Sequence, residues 1–243
     1  MNWREPQGPA DLDVYTWPTP NGRKVTILLA EAELPYNLVP VDTAAGVQFE
    51  PDYAEINPNR KIPALVDHRF PRGGGAWPIF ESGAILLHLA ERTGRFLPAD
   101  ARRRSETLQW LMWQASGFGP MLGQAHHFRF YAPEQISYCV ERYTREAERL
   151  YRVLDRRLEE REYVVDEFSI ADIAIWPWIV PRKLQGIDLE AFPNVARWNT
   201  TMKARPGVRA GFDVLRDRAS AAKPTGRAWS NLFDRRDEAG SDR

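Results

Sequence analysis

The sequence predicts an αβ domain followed by an all-helical domain. Short runs typical of strands alternate with helical runs over residues 12–93, in the order β-α-β and then β-β-α. From about residue 102 onward, strand signals are absent and helical runs continue. A length of 243 residues allows one large domain or two modest ones, so the division suits the size of the chain.

The individual elements follow from periodicity and from the residues that interrupt it. Runs rich in β-branched and aromatic residues predict strands at 12–17, 36–41, 61–66 and 78–80, the last one after a Gly73-Gly74-Gly75 turn. Apolar residues at helical spacing predict helices at 23–34, 81–92, 105–118, 133–161, 170–184 and 193–204. The second of these helices is expected to stop at Gly94, because a glycine there is a typical end signal.

The same patterns predict where the domains begin and end. We expect the αβ domain at residues 12–95 and the all-helical domain at 101–212, with a linker at 100–104. Residues 1–11 and 213–243 are polar and contain Pro, Gly and Ser, so we expect these terminal extensions to be loosely held.

Composition argues against several classes of protein. Lys and Arg total 33, as do Asp and Glu, so the chain lacks the basic excess typical of nucleic-acid binding. No apolar stretch approaches the roughly 20 residues of a membrane span, and the N-terminus shows no apolar signal region. Cys139 is the only cysteine, which excludes an intrachain disulfide and Cys-x-x-Cys chemistry. We expect a soluble, cytoplasmic protein with no membrane or nucleic-acid partner.

The first candidate site is the segment Thr19-Pro20-Asn21. Pro20 suits the first turn of a helix, and Thr19 would then be the N-cap, its hydroxyl accepting a backbone N–H. One interpretation is an ordinary cap. The other is an anion site, because free N–H groups and the positive end of the helix dipole stabilise an anion such as a thiolate. Asn21 adds an amide donor at the same end.

Two further motifs also have a structural and a functional interpretation. Ile62-Pro63 is either a plain edge strand or a turn with a cis peptide bond. A cis bond would leave the backbone N–H and C=O of Ile62 free to pair with an extended peptide ligand. Glu81 and Ser82 stand at a predicted helix start. There Ser82 is either a simple N-cap or, with Glu81, part of a grip on a zwitterionic ligand.

Other conspicuous residues receive a structural interpretation. Adjacent helical positions diverge by about 100°, so His126 and His127 do not readily share an ion, and no metal site is expected. Cys139 is expected to be half-buried and inert, and Trp176-Pro177-Trp178 to pack in the core. The Arg-rich stretch 145–161 alternates with acidic residues, which predicts a solvated helix with i,i+4 ion pairs.

Together these motifs resemble the cytosolic glutathione transferases over residues 12–212. That family joins a thioredoxin-like domain to an all-helical domain, with an Ile-Pro turn, a Glu-Ser pair and a buried N-capping box. The matching segments are Asn59-Arg60-Lys61-Ile62-Pro63-Ala64-Leu65, Phe80-Glu81-Ser82-Gly83-Ala84-Ile85 and Ser169-Ile170-Ala171-Asp172. The resemblance implies that the αβ domain is thioredoxin-like and binds glutathione, and that the protein is a homodimer.

Within the family, the chain resembles the nu class, which is related to bacterial disulfide-bond reductases and to a fungal nitrogen regulator. The segments that carry this resemblance are Thr19-Pro20-Asn21-Gly22, Gln48-Phe49, Leu108-Gln109-Trp110, Gly119-Pro120-Met121-Leu122-Gly123-Gln124, His126-His127-Phe128 and Glu141-Arg142-Tyr143.

The resemblance gives each candidate residue a role toward glutathione. Thr19 and Asn21 would hold the sulfur, and Ile62 would bind the cysteinyl backbone. Glu81 and Ser82 would hold the γ-glutamyl end. Two residues complete the set: Gln48, which would reach the glycyl end, and Arg142, which would contribute from the helical domain.

The leading hypothesis is a glutathione-dependent disulfide-bond oxidoreductase that reduces small disulfides. Because the chain has no pair of cysteines, the redox thiols must come from glutathione as cosubstrate, bound as two molecules or as their disulfide. The first alternative is a glutathione S-transferase that conjugates glutathione to electrophiles. The second alternative is a non-catalytic, glutathione-binding regulatory protein.

Overall fold

The computed structural model describes residues 2–69, 75–220 and 222–234. The described residues form the strands β1 Leu12–Thr16, β2 Asn37–Pro40, β3 Ala64–Asp67 and β4 Trp77–Phe80. They form the helices α1 Pro20–Ala32, α2 Pro51–Ile56, α3 Ser82–Thr93, α4 Ala101–Trp113, α5 Gly119–His126, α6 Ser137–Arg157, α7 Ile170–Ile179, α8 Pro193–Ala204, α9 Pro206–Asp213 and α10 Gly226–Phe233. Two π-helical segments, Gln114–Phe118 and His127–Tyr131, follow α4 and α5.

These elements divide into two compact units, each made of more than one stretch of chain. The sheet unit comprises the described residues of Met1–Trp17, Pro35–Glu81 and Asp217–Arg243. The helical unit comprises Pro18–Leu34 and the described residues of Ser82–Arg216. The four strands therefore lie in the sheet unit with α2 and α10, whereas α1 and α3 to α9 lie in the helical unit.

The sheet unit is built on a four-stranded mixed sheet of order β2-β1-β3-β4. β1 pairs in parallel with β2 and antiparallel with β3, and β3 pairs antiparallel with β4. A buried apolar cluster that includes Tyr15, Val39, Tyr53, Ile56 and Val66 forms the core of this unit. The four predicted strands are confirmed, and so is the βαβ-ββα order.

The third strand is shorter than predicted, because it begins only at Ala64. Pro63 has no N–H to donate to the ladder, and the Ile62–Pro63 peptide bond is cis, so the turn interpretation of this motif is correct. Of the glycine turn expected before β4, Gly73 and Gly74 lie outside the described residues.

Parts of both terminal extensions are anchored rather than loosely held. The indole Nε1 of Trp3 donates to Glu55 Oε2 at 3.0 Å. At the other end of the chain, Asn231 in α10 donates its Nδ2 to the carbonyl of Ala44 at 2.7 Å. The prediction was wrong for these segments because their partners are distant in sequence, and composition carries no information about such contacts.

The helical unit contains the predicted capping box at the start of α7. Ser169 Oγ accepts the N–H of Ala171, while the Asp172 carboxylate accepts the backbone N–H of Ser169. Asp172 is fully buried and also accepts from the N–H of Val164 and the indole of Trp198, both at 2.9 Å. Burial raises the pKa of the Asp172 carboxyl to about 6, although these hydrogen bonds act in the opposite direction. Asp172 therefore fixes several segments of this unit at once.

Other helical predictions needed correction. The expected linker at 100–104 is the start of α4, because the side chain of Asp100 caps that helix by accepting the N–H of Arg103 at 2.9 Å. The helices α2, α5, α9 and α10 were not predicted. On α6, the predicted ion pairs are present: Arg152 and Glu148 are 3.0 Å apart as an i,i+4 pair, and Arg149 pairs with Glu146 at i,i+3. No helix among the described residues is both long enough and apolar enough to cross a membrane.

Candidate functional site

Thr19 caps α1, as predicted. Its Oγ1 accepts the backbone N–H of Gly22 at 3.2 Å, and Pro20 occupies the first helical position. A threonine hydroxyl that accepts such a bond still has its own proton to donate. The first turn of α1, which lies wholly in the described chain, contains no acidic residue. The positive end of this helix is thus well suited to an anion.

Asn21 is held by a residue that the sequence did not single out for this role. The indole Nε1 of Trp178 donates to Asn21 Oδ1 at 3.1 Å. The sequence predicted that Trp176-Pro177-Trp178 packs in the core. This is correct for Trp176, which is 3% exposed, but Trp178 is half-buried and makes a polar contact that was not predicted. Asn21 and Trp178 are 157 residues apart, so no local pattern could have revealed the bond.

A buried lysine connects α1 with the start of α3. Lys24 is only 2% exposed, and its Nζ lies 3.2 Å from Ser82 Oγ and 2.7 Å from Gln114 Oε1. Because an ammonium group can only donate, Ser82 Oγ is the acceptor here and keeps its own proton for another acceptor. Ser82 is the first residue of α3 and not its N-cap, which was one of the two interpretations that the sequence left open. Neither Lys24 nor Gln114 was among the predicted site residues.

Glu81 has a backbone conformation that is rare for its residue type. Its φ of 69° lies in the left-handed region, which is costly for a residue with a side chain and which occurs preferentially at functional sites. In the β3–β4 pair, Ala64 lies opposite Phe80. Ile62 and Glu81 therefore lie at the same end of this strand pair, so the sheet unit brings two of the predicted residues to one edge.

Hydrogen bonds to the carbonyl of the preceding residue, Lys61, hold the backbone next to Ile62 in place. The carbonyl of Lys61 accepts hydrogen bonds from the hydroxyl of Tyr53 at 2.7 Å and from Nδ2 of Asn57 at 2.6 Å. Within the described part of the chain, no hydrogen bond engages the backbone N–H or C=O of Ile62. Both groups are thus available to an extended peptide, as one of the two interpretations of this motif requires.

Gln48 has its side-chain donors occupied. The residue is 1% exposed, and its Nε2 donates to the carbonyls of Thr43 at 3.0 Å and of Asn231 in α10 at 3.2 Å. Its buried Oε1 has no hydrogen-bond partner among the described residues. A ligand carboxylate could accept from Nε2 only if one of these bonds were given up. Contact between Gln48 and the glycyl end of glutathione stays a prediction.

Arg142 lies on an exposed part of α6. It lines an open groove of about 630 Å³ together with residues such as Met121, Tyr138 and Tyr143. The neighbouring Arg149 is engaged with Glu146 through two nitrogen atoms, each at 2.8 Å. The predicted role of Arg142 toward a ligand stays a prediction.

Two residues near these helices, His126 and Cys139, also received a structural interpretation from the sequence. Burial lowers the pKa of His126 to about 4, with a smaller contribution from His127, so the imidazole is neutral at neutral pH. Cys139 is a half-buried free cysteine in α6. Across residues 2–69, 75–220 and 222–234, no group of three or more His, Cys, Asp or Glu side chains could hold a metal ion.

Comparison with protein families gives two matches that follow each other along the chain. Residues 10–91 match the glutathione S-transferase N-terminal domain, and residues 118–206 match the glutathione S-transferase C-terminal domain. In sequence, the chain is similar to the disulfide-bond oxidoreductase YfcG of Escherichia coli (strain K12). The two are 53% identical over 196 residues, which cover 80% of this chain and 91% of that protein.

Two solved structures of glutathione transferases are similar to this structure. One, from Burkholderia graminis, has two glutathione molecules bound per subunit. Its sequence is 42% identical to this chain and the TM-score is 0.80; the match covers 85% of this chain and 89% of that chain. The other, from Pseudomonas putida, has one glutathione disulfide bound per subunit. Its sequence is 40% identical to this chain and the TM-score is 0.81; the match covers 86% of this chain and 93% of that chain. These matches confirm the predicted fold class, a thioredoxin-like domain followed by a helical one. The chain belongs to the glutathione S-transferase family.

Proposed function

We propose that this protein is a glutathione-dependent disulfide-bond oxidoreductase. The observation that carries the proposal is the start of α1, where the hydroxyl proton of Thr19 and the side-chain amide of Asn21 lie at the positive end of the helix. The similarity to YfcG supports this activity. Relatives that bind two glutathione molecules or one glutathione disulfide support glutathione as the cosubstrate.

Thr19 and Asn21 are assigned to the sulfur of a bound glutathione. Hydrogen bonds and a positive helix end favour the thiolate over the thiol, so the pKa of the bound thiol falls below its ordinary value of about 8.5. More of the glutathione is then ionised near neutral pH, and the thiolate is the form that attacks a disulfide.

The reaction is two successive thiol–disulfide exchanges. One glutathione thiolate attacks a sulfur of the substrate disulfide, the S–S bond breaks, and one substrate thiolate leaves and takes up a proton. A second glutathione thiolate attacks the glutathione sulfur of the mixed disulfide, which releases the other substrate thiol and forms glutathione disulfide. Two glutathione molecules thus supply two electrons and two protons, and Cys139 takes no part.

The γ-glutamyl end is assigned to Glu81 and Ser82. Ser82 would donate its remaining proton to the α-carboxylate, and the Lys24 ammonium behind it would favour the negative charge. Glu81 supplies a carboxylate that complements the α-amino group. The free backbone groups of Ile62 suit the cysteinyl residue, and the remaining assignments follow the resemblance: Gln48 for the glycyl end and Arg142 for the contribution of the helical domain.

This assignment extends to the organisation of the chain. We propose that residues 12–95 act as the glutathione-binding domain and 101–212 as the all-helical domain, with extensions at 1–11 and 213–243. The family resemblance supports a homodimer.

The test is a pair of assays on the purified protein. Reduction of a small disulfide by glutathione is coupled to glutathione reductase and NADPH, and conjugation of a chlorinated nitroaromatic compound is measured beside it. We expect disulfide reduction without appreciable conjugation. Strong conjugation with little reduction would favour the transferase alternative. A protein that turns over neither substrate, but whose melting temperature glutathione raises, would be the binding protein instead.

Variants locate the activity at the start of α1. Thr19→Ala and Asn21→Ala should each lower disulfide reductase activity about tenfold or more, because each removes a donor to the reacting sulfur. Thr200→Ala, which removes an exposed hydroxyl on α8, is the matched control and should leave activity unchanged.

A further inference from the structure

We propose that Trp178 is a positioning residue that orients the side-chain amide of Asn21 so that its NH₂ group faces the bound glutathione sulfur. This inference rests on the proposed function, since it explains how Asn21, one of the two donors assigned to the sulfur, is held in the correct orientation.

The two ends of an asparagine side chain have similar shapes but opposite roles, because Oδ1 only accepts and Nδ2 only donates. A thiolate is stabilised by the donor end and repelled by the acceptor end. An Asn21 side chain free to rotate by half a turn would present the wrong end part of the time.

The contact with Trp178 removes this ambiguity. An indole N–H can only donate, so the Asn21 atom that lies 3.1 Å from Nε1 must be the oxygen. The Nδ2 group is then directed away from the indole. Among the described residues, Asn21 Nδ2 makes no hydrogen bond, which leaves its protons for a ligand.

The indole is itself held in place by its surroundings. It lies against two glycines of α5: a Cβ at Gly119 would be 3.4 Å from Trp178 Nε1, and a Cβ at Gly123 would be 3.4 Å from Cη2. The backbone carbonyl of Trp178 accepts from Gln185 Nε2 at 2.9 Å. A donor fixed in this way can define the orientation of its acceptor.

Trp178→Phe tests the proposal, because it keeps an aromatic ring against α5 and removes the N–H. We expect the pKa of the bound glutathione thiol to rise by about one unit. The acidic limb of the pH profile of kcat/KM for disulfide reduction should move upward by the same amount. The KM for glutathione measured at alkaline pH, where the thiol is ionised in either protein, should change less than about threefold, because the peptide contacts remain.

The same helix offers a matched control. Trp176 also donates its Nε1 to an asparagine oxygen, Asn199 Oδ1, at 3.0 Å, in the buried interior of the unit. Trp176→Phe therefore makes the same substitution and removes the same kind of bond without touching Asn21. It should leave the pH profile unmoved, even if it lowers the melting temperature.

A double variant tests whether Trp178 acts through Asn21. In an Asn21→Ala background, Trp178→Phe should cause no further shift of the acidic limb, because the group that it orients is gone. A shift of the same size in both backgrounds would overturn the proposal.

A measurement on the wild-type protein covers the case in which Trp178→Phe does not fold. The side-chain amide signals of Asn21, followed by ¹H–¹⁵N NMR during a pH titration with glutathione bound, should move at the pKa of the bound thiol. Signals that do not respond to ionisation of the sulfur would overturn the proposal.

The outcomes separate this inference from the function on which it rests. A wild-type protein that reduces no disulfide, or that binds glutathione with the thiol pKa of free glutathione, refutes the proposed function and with it the role of Trp178. A lowered thiol pKa that Trp178→Phe leaves unchanged refutes the role of Trp178 alone.

Discussion

Replacing Lys24 by methionine is expected to weaken glutathione binding by up to about a hundredfold. Lys24 Nζ lies 3.2 Å from Ser82 Oγ. A ligand carboxylate oxygen that accepts the Ser82 proton would lie about 2.7 Å from Ser82 Oγ. The ammonium and the carboxylate would then be at most about 6 Å apart. At an effective dielectric constant of about 20, this attraction amounts to about 3 kcal/mol, which corresponds to about two powers of ten in the dissociation constant.

The assay is isothermal titration calorimetry of glutathione with the wild type and with Lys24→Met. A second ligand, γ-aminobutyryl-cysteinyl-glycine, lacks only the α-carboxylate of the γ-glutamyl residue. It should bind to both proteins with similar affinity, since it has no negative charge at that position. Lys203→Met removes an exposed lysine of α8 and is the control for loss of a charge as such.

Two results would refute this reasoning. Glutathione that binds Lys24→Met as tightly as it binds the wild type would show that the buried charge does not act on the ligand. An equal loss for both ligands would show that the substitution disturbs the site without involving the carboxylate. Thermal unfolding of the variant is measured first, because Ser82 and Gln114 each lose a donor.

Three further predictions concern the framework that supports the site. Asp172→Ala should lower the free energy of unfolding by about 3 kcal/mol or more, since it leaves buried donors such as Trp198 Nε1 without an acceptor. Asp172→Asn keeps one acceptor oxygen and should lower the free energy of unfolding by less. Equal losses of free energy for the two variants in urea unfolding would contradict this prediction. Because burial lowers the pKa of His126 to about 4 from the ordinary 6.5, the unfolded chain binds more protons than the folded one between these values. The stability of the wild type relative to His126→Gln should therefore fall as the pH falls from about 6.5 to about 4, and a difference independent of pH would count against it. Gly211→Ala should destabilise by about 2–3 kcal/mol, because its Cβ would overlap the backbone of Ile27 where α9 meets α1; an unchanged melting temperature would contradict that packing.

Local chemistry explains which parts of the fold could be predicted from the sequence. Thr19 before Pro20, and Ser169 three residues before Asp172, are signals whose partners lie within one turn of chain, and both caps are present. The strands were recognised for the same reason, because side-chain type and alternation are local properties. Their ends were predicted less accurately: β3 begins only at Ala64, because Pro63 cannot donate to the ladder.

The helices that were missed contain residues that disfavour a helix. The segment of α5 includes two glycines and a proline, and α9 begins with Pro206-Gly207. Propensity alone argues against both helices. In the folded chain these small residues permit close packing, as Gly123 does against the indole of Trp178. Tertiary contacts therefore decide what local propensity does not.

The polar contacts that prepare the candidate site were beyond prediction for a related reason. Asn21 and Trp178 are separated by 157 residues, and Lys24 and Gln114 by 90. From the sequence alone, Trp178 and Gln114 are interpreted as ordinary core or surface residues and not as partners of α1. Only the packing of the helical unit brings them to α1.

The central claim is that the redox sulfurs belong to glutathione and not to the protein. Cys139→Ser makes the chain free of cysteine and so tests the claim most directly, because no protein thiol then remains. The measurement is the rate of reduction of a small disulfide by glutathione, coupled to glutathione reductase and NADPH, in the wild type and in this variant. Equal rates are predicted. Loss of activity in a correctly folded Cys139→Ser protein would contradict the proposed mechanism.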